Sequence, residues 1–281
     1  MTTVAILGAG ELGGSVAHAL ARRERVGRVL MIDEAGSIAA GKALDIQQAG
    51  AIEGFHARVE GSQDLTRVTG CTVCIVADSG KPSTEWQGEG ALAMMARLRG
   101  FIGEAPTIFA GAGQAGLLQA VVLEAGYLRD RVVGSASEAL VGAIKAIVAL
   151  EAQCSPSEVA LSVLGTPPSG FVVPWSEASI AGHAVERVLA QVQTRRIEAR
   201  VARLWPPGPH ALGLAAARVA EAIGTSARQA HTVLTVLGGE FGVRNRVGLV
   251  PCLLGPAGIR EVRLPPLNAR ERVQIETALG A

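Results

Sequence analysis

Apolar residues along this chain fall into two rhythms, and the rhythm changes near the middle. In the first half, short apolar runs alternate with stretches of helical spacing. The runs over residues 4–7, 29–33, 57–59, 71–76, 107–110 and 131–133 predict strands. The patterns between them, over 11–22, 38–47, 90–101 and 114–125, predict helices; Leu12, Val16 and Leu20 recur on one face of the first. Alternation of this kind implies a parallel sheet with helices on both faces. Ligands then bind at the carboxyl ends of the strands.

The second half reads differently. A helix is predicted over 137–150, strand-like runs over 159–164 and 171–173, and long helices over 185–204 and 212–223. The runs over 231–237, 247–254 and 259–264 read as an antiparallel meander. Ser155-Pro156-Ser157-Glu158 predicts a one-turn cap, with Ser155 accepting from the N–H of Glu158, and Asn268-Ala269-Arg270-Glu271 opens the last helix with a capping box. Trp205-Pro206-Pro207-Gly208-Pro209 is the stiffest break. No internal repeat and no low-complexity linker is seen. A boundary near Gly134 divides residues 1–134, an α/β unit, from residues 135–281, an α+β unit.

Between the first strand and the first helix lies Gly8-Ala9-Gly10-Glu11-Leu12-Gly13, and Asp33 ends the second apolar run. This is the spacing of a dinucleotide site. Gly8 allows the tight turn, Gly10 lets backbone approach a pyrophosphate, and Gly13 lets helix pack on strand. The free N–H groups at the helix start, including those of Ala9, Glu11 and Leu12, then face the anion. Asp33 is placed to accept from both ribose hydroxyls. No arginine follows it closely to hold a 2′-phosphate, so NAD is favoured over NADP.

Charge and composition narrow the partners. Lys+Arg is 26 and Asp+Glu is 25 in 281 residues, which gives no electrostatic case for nucleic acid or an anionic membrane. No apolar run reaches the ~18 residues of a membrane span, and Lys145 interrupts the longest candidate. No basic region precedes an apolar one at the N-terminus, so no secretory signal is expected and a cytoplasmic location is. Cys71 and Cys74 form a C-x-x-C spacing inside a strand-like run. Residues three apart on a strand face opposite ways, so buried reduced thiols are expected rather than a metal site or a disulfide.

The sequence resembles the lactate/malate dehydrogenase family along essentially its whole length. Residues 8–18 look like the family's opening motif, and Asp33 with Gly41-Lys42-Ala43-Leu44-Asp45 looks like its second strand and G-K-A-L-D helix. Gly239-Glu240-Phe241-Gly242 and the stretch from Val250-Pro251 to Gly258-Ile259 look like its late G-E-Y-G and V-P-x-x-x-G-x-x-G motifs. The resemblance implies a Rossmann-type NAD-binding sheet over 1–134, an α+β former substrate domain over 135–281, and association into oligomers.

It also implies a chemistry. Family members interconvert 2-hydroxy and 2-oxo acids, with a His as acid/base, an Asp orienting it, and an Arg gripping the substrate carboxylate. At the matching positions this chain departs. Pro167 stands for the His within Gly165-Thr166-Pro167-Pro168-Ser169-Gly170, which runs on to Val173-Pro174-Trp175-Ser176. Leu140 stands for the Asp and Ala143 for the Arg. The mobile loop, Lys81 to Gly88, holds no arginine, and the S-N-P ending of the fifth strand reads Gly111-Ala112-Gly113. Flanking residues match at each site, so no catalytic residue is assigned.

Other residues are candidates to replace them. His210, where the family lines its substrate pocket, and Lys81, with Asp78 past the fourth strand, could supply a proton. Glu138 and Lys145 lie seven apart on one helix and could share a face. His18 reads as structural; His56, His183 and His231 have no acidic partner nearby in sequence and read as surface or packing residues. Three functions remain open. One is an NAD(H)-binding protein without ordinary dehydrogenase activity, paired with itself or with an active paralogue in a binding, sensory or structural role. The second is an NAD-dependent oxidoreductase for a non-carboxylate substrate. The third is a scaffold that binds no nucleotide.

Overall fold

The structure is a computed structural model and describes residues 2–280 apart from Ser169, Ala202 and Ala227. The first half runs β1 (Thr3–Leu7), α1 (Glu11–Arg23), β2 (Arg28–Ile32), α2 (Gly36–Glu53), β3 (Arg58–Ser62), β4 (Val73–Val76), α3 (Gly88–Ile102), β5 (Thr107–Phe109), α4 (Ala115–Leu123) and β6 (Val132–Gly134). The second half runs α5 (Ala136–Ala152), β7 (Val159–Ala160), β8 (Leu164–Thr166), β9 (Gly170–Val172), β10 (Ser179–Ile180), β11 (His183–Ala184), α6 (Val185–Val188), α7 (Gln191–Val201), α8 (Pro209–Thr225), β12 (His231–Gly238), β13 (Arg244–Gly255), β14 (Gly258–Val262) and α9 (Ala269–Leu279).

β1 sits between β2 and β4, and β3, β2, β1, β4, β5 and β6 are parallel neighbours. Their apolar runs are continuous because both faces are covered. Val4 and Ile6 of β1 enter a core shared with Leu12, Val16 and Leu20 of α1 and Leu212, Ala216 and Ile223 of α8. Ala5 and Leu7 enter the opposite core, with Met95 and Leu98 of α3, Leu118 of α4 and Leu140 and Ile144 of α5. The sheet continues past residue 134: Gly134 pairs with Leu234, which brings in β12, and the predicted meander β12, β13 and β14 follows antiparallel.

The structure changes several local expectations. The predicted helix over 185–204 is two helices, α6 and α7, and its position 202 lies outside the described residues. Leu189 takes an extended conformation, is 4% exposed and joins the core, and Gln193 Oε1 accepts from Ala190 N at 2.9 Å to cap the new start. Burial of one leucine here outweighs helix continuity. The run over 159–164 is likewise divided: Ala160 pairs with Ser179 in a small three-stranded sheet, while Leu164 joins the main one. Around residue 155 the expected cap forms as a reciprocal capping box: the Ser155 side chain accepts from the first-turn backbone, including Ser157 N at 3.3 Å, and the Glu158 carboxylate accepts from Ser155 N at 2.9 Å.

Cys71 lies before β4, not within it, so strand alternation does not govern its direction. Cys71 and Cys74 enter the same core, and both are free. Burial pushes the Cys71 thiol up to about 11 and the Cys74 thiol well above its ordinary value, where neither is a nucleophile. No helix among the described residues is long and apolar enough to cross a membrane.

Candidate functional site: a glycine fingerprint at the carboxyl ends of the strands

The fingerprint loop has the conformation its glycines require. Gly8 holds φ 110°, a region L side chains avoid, and a Cβ there would stand 2.1 Å from the Asp78 carbonyl oxygen. A Cβ on Gly13 would stand 2.3 Å from the Gly8 carbonyl oxygen, so this glycine lets α1 lie against β1. Gly10 is needed for a third reason: a Cβ there would stand 2.2 Å from Oδ2 of Asp78. The group that approaches the Gly10 backbone is the chain's own carboxylate.

Every N–H of the loop is already taken. Gly8 N donates to Ile32 O at 2.7 Å, Ala9 N to Asp33 Oδ2 at 2.8 Å, and Gly10 N to Asp78 O at 3.1 Å. At the helix start, Glu11 N donates to Ser83 Oγ at 3.2 Å, Leu12 N to Asp78 Oδ2 at 3.0 Å, and Gly13 N to Asp78 Oδ1 at 2.7 Å. Gly14 N donates to Gly10 O at 3.1 Å, the first bond of the helix. The first amides of a helix lack internal partners and carry its positive dipole end. Asp78 satisfies both demands, and Ser83 Oγ donates to its Oδ2 at 3.0 Å. Asp78 is 5% exposed. It is a capping anion rather than a proton donor's partner; Lys81, the proton-donor candidate of the same loop, is exposed.

Asp33 is committed in the same way. Its carboxylate accepts from Ala9 N at 2.8 Å, Gly80 N at 2.7 Å and Ala35 N at 2.9 Å, and it is 3% exposed. Lys42 lies next to this assembly, with Nζ donating to the Gly10 carbonyl. A second carboxylate of the same segment closes the end of β5. Glu85 accepts from Ala112 N at 3.0 Å and Gly113 N at 2.7 Å, and a Cβ on Gly111 would stand 2.4 Å from its carboxyl carbon. The residues of the fingerprint therefore have the backbone shape a dinucleotide needs. The described conformation does not fit its pyrophosphate, because the donors are spent.

No protein-family model matches the chain. Curated relatives do. The malate dehydrogenase of Salinibacter ruber is 27% identical over 293 residues, spanning 99% of this chain and 93% of the relative. That of a Roseiflexus species is 26% identical over 298 residues, spanning 99% and 95%. Among solved structures, the malate dehydrogenase of Aeropyrum pernix superposes with a TM-score of 0.87 at 20% identity, covering 99% of this chain and 95% of that one. A Cryptosporidium parvum lactate dehydrogenase, solved with lactic acid and nicotinamide adenine dinucleotide, gives 0.88 at 20% identity over 99% and 94%. The likeness is to the lactate/malate dehydrogenase family. It covers the Rossmann-like parallel sheet and the antiparallel half alike.

In a lactate/malate dehydrogenase-like chain, the positions matched to catalytic residues can now be seen in place. Leu140 is fully buried in the core with Ile144, Pro167 is buried after β8, and Ala143 lines a cavity beside α8; Ser169 lies outside the described residues. None of the three can exchange a proton or pair with a carboxylate. His210 is exposed on the first turn of α8, across a shallow cavity from Glu11, Ser15, Lys42 and Asp45.

Three histidines lie near carboxylates the sequence did not reveal, among them His18, whose Nε2 is 3.5 Å from Glu53. His56 Nδ1 lies 3.2 Å from Glu24, and His231 Nδ1 lies 3.3 Å from Glu138 Oε2. All three acids are distant in sequence, so proximity along the chain was the wrong test. Glu138 also accepts from Thr232 N at 2.9 Å and lies 3.5 Å from Arg218 Nε. Glu138 and Lys145 do share a face: both line the cavity of about 620 Å³ that holds Ala143. Burial lowers the Lys145 pKa, the Glu138 charge opposes that shift, and the Arg218 charge adds to it. Among the described residues no group of His, Cys, Asp and Glu is arranged to hold a metal ion.

Proposed function

We propose that this chain is a malate/lactate dehydrogenase-like NAD(H)-binding protein without ordinary 2-hydroxy-acid dehydrogenase activity, acting as a binding, sensory or structural subunit. One pairing of observations carries the reading: a glycine fingerprint of the required backbone shape beside apolar residues where the family's chemistry needs charge. Reducing a 2-oxo acid needs a proton at the carbonyl oxygen and a cation at the carboxylate. Pro167 has no proton to give, Leu140 cannot orient one, and Ala143 cannot grip an anion. A general acid/base alone is worth about 10²–10⁴ in rate. NAD rather than NADP is the ligand that Asp33 and the absence of a nearby arginine favour. The subunit's role implies self-association or pairing with an active paralogue.

Binding is testable without any substrate. NADH at about a hundred times its Kd is expected to stabilise the purified protein by about 3 kcal/mol, a rise of several degrees in Tm by calorimetry. An unchanged Tm with millimolar NADH and NAD removes the binding half of the proposal and leaves a scaffold.

A further inference from the structure

We infer that residues 78–87 are an internal competitor for the dinucleotide: Asp78 and Glu85 occupy the amide groups its acceptor atoms need, and NAD(H) binds only by expelling them. The inference rests on the NAD(H)-binding reading above and adds its regulation.

Three observations support it. The first is the donor accounting at α1. The amides of Leu12 and Gly13 bind the two Asp78 oxygens, and Glu11 binds Ser83 Oγ, so the helix start is neutralised by this segment alone. A phosphate and this carboxylate ask for the same N–H groups and the same space over Gly10, where Oδ2 of Asp78 already comes within 2.2 Å of a Cβ position. Both cannot be seated. Two anions side by side at one helix start would also repel.

The second is that the block is double. Glu85 does at the end of β5 what Asp78 does at the end of β1, on the amides of Ala112 and Gly113. These ends lie side by side through β4 in the parallel sheet, where such folds bind their ligands. One short segment thus places two carboxylates on the two amide clusters of that edge. The third is how the segment is built. Asp78 bridges to Glu85, and Ser79 N donates to Thr84 O at 2.9 Å, closing a small hairpin whose tip, residues 81–84, is exposed. Gly80 covers Asp33, and Gly88 at φ 73° joins the segment to α3. Trp86 Nε1 is buried with no acceptor among the described residues, a cost the seated segment carries. The hairpin can lift as a unit while Asp78 turns its carboxylate off α1.

A competitor of this kind lowers affinity by the fraction of molecules left open. If about nine molecules in ten are closed, apparent affinity falls about tenfold. The test is calorimetric titration of NADH into the full-length protein, the Asp78→Ala variant and the Ser83→Ala variant. Asp78→Ala is expected to bind at least about tenfold tighter than the parent, and Ser83→Ala to shift the same way by a smaller factor. Equal or weaker binding by Asp78→Ala, with measurable binding by the parent, overturns the competitor and leaves the NAD(H) reading intact. No binding by parent or variants overturns both. Should Asp78→Ala not fold, Ser83→Ala decides, since it keeps the carboxylate that caps α1: tighter binding supports the inference and unchanged binding overturns it.

Discussion

Replacing Gly8 by alanine is expected to cost about 3–5 kcal/mol. Two penalties combine. Gly8 holds φ 110°, where a Cβ is strained whatever space surrounds it. The added carbon would also stand 2.1 Å from the Asp78 carbonyl oxygen and 2.7 Å from its carbon. Those atoms are backbone at the end of β4 and cannot swing aside as a side chain would. Gly41 is the control: it lies inside α2 with nothing within 4 Å of its Cβ position. Gly41→Ala is expected to be neutral or to stabilise by up to ~1 kcal/mol. Urea denaturation of the two variants against the parent checks both signs.

Asp33→Ala is the second large effect, expected at about 3–5 kcal/mol in the absence of any nucleotide. The sequence assigns Asp33 to ribose. The structure has it holding three backbone amides, on the fingerprint loop, at the start of α2 and on the segment after β4. Removing the carboxylate strands those donors in a site where Asp33 is 3% exposed. A side chain that only waits for a ligand would leave ligand-free stability unchanged. Denaturation midpoints of parent, Asp33→Asn and Asp33→Ala, without NAD, separate the two roles. The asparagine variant is expected to fall between, because it keeps one acceptor oxygen and loses the charge.

What was legible in the sequence was what local spacing controls. Val4 to Leu7 is apolar throughout because its alternate side chains enter different cores, and continuous apolar runs between helices announced that. Asn268 and Glu271 cap α9 reciprocally, a motif complete within four residues. Gly8 and Gly13 serve the turn and the close packing that their spacing implies. What was not legible depends on residues far apart in the chain. Asp78 follows an apolar strand and looks like the first residue of a loop; only the fold brings it onto Leu12 and Gly13, more than sixty residues away. His231 and Glu138 meet across β12 and α5. Leu189 ends a helix for the sake of a core that local propensity does not contain.

Asp78 also alters the meaning of the fingerprint. Its glycines admit close approach of an anion, as expected, but the anion in place is intramolecular. A glycine motif read alone indicates the backbone shape and leaves open which acceptor uses it.

Turnover by the purified protein is the most direct measurement of whether a dehydrogenase-like fold is here separated from its family's chemistry. NADH absorbance is followed with saturating NAD and malate or lactate, and in reverse with NADH and oxaloacetate or pyruvate. The expected result is a rate at least ~10⁴-fold below an active dehydrogenase and indistinguishable from buffer, because on the proposed reading Pro167, Leu140 and Ala143 stand where the family's acid/base, its orienting partner and the carboxylate clamp would be. Protein-dependent turnover of any of the four acids would contradict it.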